Sequence, residues 1–139
     1  MRQRAELETR RRSVRYGERV QCVLGDAQAR LGGKWRDIEP VALDLVQDMT
    51  IPFPLSEPSG HTVRRQTPAY ARFDGQTIFL CQGDGDDRGD SGSCVRLLGT
   101  HADYRRGIDQ RIDSANFLRG RLRCDLVPTP GIPGPGYRK

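Results

Sequence analysis

Glycine and proline interrupt this chain too often for long helices. There are 16 Gly and 9 Pro in 139 residues. Between Gly17 and Gly107 no stretch free of both exceeds eleven residues. Glycine supplies turn conformations and proline fixes φ while removing a backbone donor, so such a chain favours short strands joined by turns. Hydrophobic residues make up 35% without glycine, against a usual range of about 45–50% that counts glycine as well. One modest domain with polar extensions fits that length and composition.

Apolar alternation places the strands. In residues 18–24 Val20, Cys22 and Leu24 share one face, and Gly25-Asp26 is expected to end that strand. Gly32-Gly33 signals a turn. Residues 35–46 read as one strand with Val41, Leu43 and Leu45 on one face and Pro40 at an edge or bulge. Residues 47–67 hold Pro52, Pro54, Pro58 and Gly60 and read as a long loop suited to docking. Residues 68–82 read as a hairpin about Asp74-Gly75, a type I′ signal. Residues 83–93 form an acidic loop, and Cys94 to Leu98 reads as a last short strand.

The ends read differently. Residues 1–16 form a basic extension in which 1–12 suit a short helix, with Glu6 and Glu8 four residues before Arg10 and Arg12. Ile108, Ile112 and Ala115 share a helical face, predicting a second helix over 108–119. Residues 127–139 carry four Pro and three Gly and read as an extended tail. The expected organisation is therefore an extension over 1–16, a body over 17–99, and a helix plus tail over 100–139.

Charge follows the same division. Residues 1–19 hold seven Arg against three Glu, and 101–139 hold eight basic residues against four Asp. The middle holds eleven acids against eight bases. Basic ends on an acidic body suit an anionic partner such as an acidic protein surface, RNA or lipid headgroups, although many charge runs are simply solvated. The candidate partner-binding residues are Arg10, Arg11, Arg12 and Arg15 at one end, with Arg105, Arg106, Arg119, Arg121 and Arg123 at the other. Few aromatics accompany them, so contacts to backbone phosphate or carboxylate are expected over base stacking.

Residues 17–98 resemble a known module. They read G-E-R-V-Q-C-x-x-G-D from Gly17, then Trp35, V-A-L at 41–43, A-Y-x-x-F-D-G-Q-T-I-F at 69–79, D-x-D-D at 84–87 and V-R at 95–96. This order resembles the SH3-like or Tudor-like β-barrel module of many uncharacterised algal and protist proteins. The resemblance spans about 80 of the 139 residues. It departs at Phe73-Asp74-Gly75, which lacks a second acid, and in a longer acidic loop. It implies a small barrel and a protein-interaction or assembly role. Trp35, Tyr70, Phe73 and Phe79 are candidates for a Tudor-type aromatic cage around a methylated cation, or else ordinary core residues.

Other motifs are incomplete. Gly89-Asp90-Ser91-Gly92 matches a serine-protease nucleophile signature, yet that chemistry needs a His base and an orienting Asp on a larger scaffold. Asp84-x-Asp86 opens like a calcium loop, but Arg88 and Val95 stand where oxygen ligands belong. Cys22, Cys81, Cys94 and Cys124 form no C-x-x-C pair, so reduced thiols are expected, and no zinc site. Arg11-x-x-x-Arg15 matches the first half of a cyclic-di-GMP-binding PilZ signature without the second. No catalytic residue, cofactor or metal is assigned. Met1 to Arg12 has no apolar signal core and no run reaches the roughly 20 apolar residues of a membrane span.

The sequence thus predicts a mostly β chain, a small SH3-like barrel with short terminal helices and extended basic tails. Its expected role is a non-enzymatic accessory subunit of a large assembly, an organellar respiratory complex or ribosome. Its partners would be other protein subunits or RNA, with peripheral membrane-complex association allowed. The expected compartment is the mitochondrion or another organelle, otherwise the cytoplasm. The alternative is a free-standing Tudor-like reader or RNA-binding module.

Overall fold

The computed structural model describes residues 13–15, 17–58, 60, 64–83 and 94–127. The chain is mostly β, with nine strands in two antiparallel sheets and one short helix among the described residues. Sheet one contains β1 (Arg19–Leu31), β2 (Lys34–Asp37), β3 (Val41–Val46), β8 (Ile108–Asp113) and β9 (Leu118–Val127). Its order is β2-β1-β9-β8, with β3 also paired to β1. Sheet two contains β4 (Thr50–Ser56), β5 (Gln66–Phe73), β6 (Thr77–Gln82) and β7 (Cys94–Leu98), in that order. The strands remain two separate sheets, with no closed barrel among the described residues. Their inner faces share one hydrophobic cluster.

β1 organises sheet one. Val20, Cys22 and Leu24 point inward as the alternation requires. The strand does not end at Gly25-Asp26. It continues through a bulge, where Asp26 and Ala27 oppose Gly120 alone between the pairs Gly25↔Arg121 and Gln28↔Arg119. Asp26 takes φ 46°, a conformation short polar side chains tolerate. A Cβ on Gly120 would lie 2.8 Å from the Ala27 Cβ, so this crossing needs glycine. Gly32 and Gly33, both at positive φ, then close a two-residue hairpin at Leu31↔Lys34. Residues 38–40 split the expected 35–46 strand into β2 and β3, and Leu43 and Leu45 are buried as expected.

Sheet two corrects the reading of 47–67 as a loop. Thr50–Ser56 is a strand despite Pro52 and Pro54. It is an edge strand, where a missing N–H need not cost a ladder bond. Pro54 faces Pro68, so neither has an N–H to withhold from the other. The β5–β6 hairpin forms, but its loop is Gly75-Gln76, closed by the Asp74 N–H donating to the Thr77 carbonyl. Neither Asp74 nor Gln76 is at positive φ, so the expected type I′ turn does not form at this tip. The Asp74 carboxylate instead accepts from the backbone N–H groups of Gln76 and Thr77 at 2.9 and 2.7 Å.

The C-terminal region departs furthest from expectation. No helix spans 108–119. Residues 108–113 and 118–127 are β8 and β9, and β9 lies between β1 and β8 in the sheet. The helix is α1 (His101–Arg106), started by a capping box between Thr100 and Asp103. It inserts Tyr104 into the core, with its ring edge-on to Phe73 and its hydroxyl donating to the Gln76 carbonyl at 2.5 Å. Burial pushes the Tyr104 phenol pKa upward.

The body also begins before Gly17, since Val14 is buried and donates its N–H to the Gly75 carbonyl. The folded body therefore runs past both the 17 and 99 boundaries. The helix expected over 1–12, most of the acidic loop and the tail beyond Val127 lie outside the described residues.

The cysteines are paired, contrary to the expectation of reduced thiols. Cys22–Cys124 and Cys81–Cys94 are disulfides, each joining directly opposed residues of neighbouring strands. Spacings along the chain do not reveal such pairing, because the first bond spans 102 residues. We expect Cys22→Ala with Cys124→Ala to lower unfolding stability by about 4 kcal/mol, from the entropy of so long a closed loop, as read by the urea midpoint. Gly120→Ala should lower it by about 2 kcal/mol through overpacking at the bulge. An unchanged midpoint in either variant would contradict the fold.

Candidate functional site

Strand alternation turns the β9 sequence into a ladder of arginines. Leu118, Gly120, Leu122 and Cys124 are buried, so Arg119, Arg121 and Arg123 project from the outer face of sheet one. Same-face residues two apart along a strand lie about 6.6–6.8 Å apart. Across the sheet, β8 sets Asp109 opposite Arg123, Arg111 opposite Arg121 and Asp113 opposite Arg119.

The ladder is only partly neutralised. Asp109 serves two guanidinium groups, Arg121 Nε at 2.6 Å and Arg123 Nε at 3.5 Å. The hydrogen bond from Arg121 chiefly holds the Asp109 carboxyl below its ordinary pKa, against desolvation and with help from the Arg121 and Arg123 charges. Arg111 faces Arg121 across the strands and has no ion pair among the described residues. Directly opposed like charges destabilise a sheet, so this corner of the face suits an added anion.

Arg119 is held differently. Its Nε and Nη2 both donate to the Gln28 Oε1, at 2.9 and 2.7 Å. The Gln28 amide nitrogen in turn donates to Asp37. The Arg119 guanidinium carbon lies 4.1 Å from the centroid of the Trp35 ring, which also carries Arg30 at 5.9 Å. Trp35 thus holds two cations by their attraction to its ring.

Between these groups the surface dips. A depression of about 200 Å³ is lined by Val23, Gly25, Asp26, Pro40, Arg121 and Arg123. Val23 is 49% exposed although large and apolar. The β1 bulge and the absent side chain at Gly25 open this dip. Its lining joins the apolar Val23 and Pro40 to two arginines and Asp26. That combination can hold a carboxylate or phosphate through paired, charge-assisted hydrogen bonds while covering an apolar stem.

The sequence-chosen residues divide between places. Arg119, Arg121 and Arg123 come together, but on a central strand and not on a tail. Arg105 and Arg106 lie in the last turn of α1, where Arg106 pairs with Asp103 at 2.9 Å. Arg15 is exposed ahead of β1, its backbone N–H donating to Glu18. Arg10, Arg11 and Arg12 lie outside the described residues.

The four cage candidates are not assembled. Trp35 is in sheet one, while Tyr70, buried but outside the core cluster, and Phe79 lie in sheet two beside Arg72 and Arg96. Phe73 is fully buried in the core. Sequence reading missed Arg30, Gln28, Asp109 and Arg111. The alternation in Leu118-Arg-Gly-Arg-Leu-Arg-Cys124 was the available signal for their neighbours on β9.

No family model, curated protein or solved structure matches the chain. No helix among the described residues is long and apolar enough to cross a membrane.

The lowered Asp109 pKa has a consequence for pH. A carboxylate depressed in the folded state adds stability that is present above the unfolded value and lost as pH falls through the folded one. In NMR titration the Asp109 carboxyl should ionise below the ordinary range of about 3.9. Arg121→Gln should move its midpoint upward. A midpoint that does not move would remove Arg121 as the main cause.

Proposed function

We propose that this chain is a non-enzymatic binding subunit that docks an acidic protein segment on the arginine face of sheet one. The carrying observation is Arg111 set directly against Arg121, with only the shared Asp109 carboxylate paired to the ladder among the described residues. A carboxylate from a partner seated over Val23 and Pro40 would relieve that repulsion. A rigid sheet supports this role better than a mobile tail, because side chains already placed lose less freedom on binding.

The motif order in residues 17–98, read from sequence as an SH3-like or Tudor-like interaction module, would suit the same role. So would the surplus of arginine in residues 1–19, where Arg10, Arg11 and Arg12 add positive charge. In this proposal the chain is an accessory part of a larger assembly. Two disulfides favour an oxidising organellar or extracytosolic space over the reducing cytosol.

The test is gentle purification of the tagged chain from its native cells, followed by sizing. The wild-type chain should co-migrate with a larger protein particle. Arg121→Glu with Arg123→Glu should shift most of it to the free position while the chain keeps a wild-type far-UV circular dichroism spectrum, since both side chains are substantially exposed. A wild-type chain found free, or a particle held by RNA and lost on nuclease treatment, would overturn the protein-docking reading.

A further inference from the structure

The two disulfides differ in access. Cys22 and Cys124 are 2% and 0% exposed and belong to the core cluster. Cys81 is buried at 3%, but it alternates with the inward Leu80 and lies outside that cluster. Cys94 is exposed. The Cys81–Cys94 bond therefore lies on the outer face of sheet two, with the Cys94 end open to solvent.

Register sets two arginines in the row beside this bond. Tyr70 is the cross-strand neighbour of Cys81 on β5. In the next row Phe79 stands between Arg72 and Arg96. The Arg72 guanidinium carbon sits 5.6 Å from the Tyr70 ring centroid, beside the Cys81 position. The Arg96 guanidinium carbon sits at the same distance from Phe79. Neither arginine has an acidic partner among the described residues. Thr50 accepts from the Arg72 Nε at 3.2 Å. Guanidinium groups attract an anionic thiol and stabilise a departing thiolate.

We propose that Cys81–Cys94 is a thiol-exchange site for a small anionic thiol of the glutathione class, with Cys94 as the attacked sulfur. The thiolate attacks Cys94 Sγ, the Cys81–Cys94 bond breaks, and Cys81 leaves with the electron pair as a thiolate that takes a proton from water. The product is a mixed disulfide on Cys94. A second thiolate can then attack the sulfur of the thiol bound to Cys94, releasing the oxidised thiol dimer and leaving two protein thiols. Exposure selects Cys94, because exchange requires access to the sulfur attacked. Burial protects Cys22–Cys124. This inference is independent of the docking face on sheet one.

The test treats the oxidised full-length chain with reduced glutathione, quenches, alkylates and maps the cysteines by mass spectrometry. A glutathione adduct on Cys94 and alkylated Cys81 should appear at least tenfold faster than any opening of Cys22–Cys124. Neutral mercaptoethanol provides the charge control. The glutathione-to-mercaptoethanol rate ratio should fall severalfold in Arg72→Gln with Arg96→Gln, and also in the wild-type chain when salt is raised. Both bonds opening together, an adduct on Cys81 in place of Cys94, or a ratio unmoved by both the variant and salt would overturn the proposal.

Discussion

The pairing of the first long strand with the last holds the described body together. β1 and β9 align from Arg19↔Val127 to Ala29↔Leu118, and the buried Cys22–Cys124 bond fixes that alignment within the core. β2, β3 and β8 attach to these two strands and complete sheet one. Contacts so distant in sequence carry a large closure entropy, which the disulfide removes from the unfolded chain. The bulge near Gly25 is the one irregularity in this pairing. It opens the surface depression and requires the bare backbone at Gly120.

This pairing changes what the C-terminal arginines are. Read as part of a tail, Arg119, Arg121 and Arg123 would be separate solvated charges. Built into β9, they keep a fixed spacing and share one face with Arg111 and Arg30. Their neighbours decide their state. Gln28 and Trp35 hold Arg119, and Asp109 holds Arg121 and Arg123 without fully balancing the ladder. The chain's own acids therefore orient the arginines while leaving positive charge for a partner.

Much of the β pattern was legible where a turn residue stood between alternating runs. Gly32-Gly33 marked the β1–β2 hairpin, and Asp74-Gly75 marked β5–β6 to within one residue. Val41, Leu43 and Leu45 announced the face of β3. Prolines hid β4, because an edge strand tolerates what a central strand does not. The spacing of Ile108, Ile112 and Ala115 suggested a helix and obscured a period-two pattern that starts at Leu118. Disulfide pairing and the juxtaposition of Arg111 with Arg121 are properties of register between distant strands, so local pattern did not contain them.

The central claim is that these arginines are carried by an interior strand of a rigid sheet. Native-state hydrogen exchange at the backbone amides of Leu118 through Cys124 tests it most directly. The slowest of these amides, those bonded to β1 and β8, should exchange only as fast as the whole molecule unfolds. Exchange of all of them at the rate of an unstructured chain, while β5 and β6 stay protected, would contradict it.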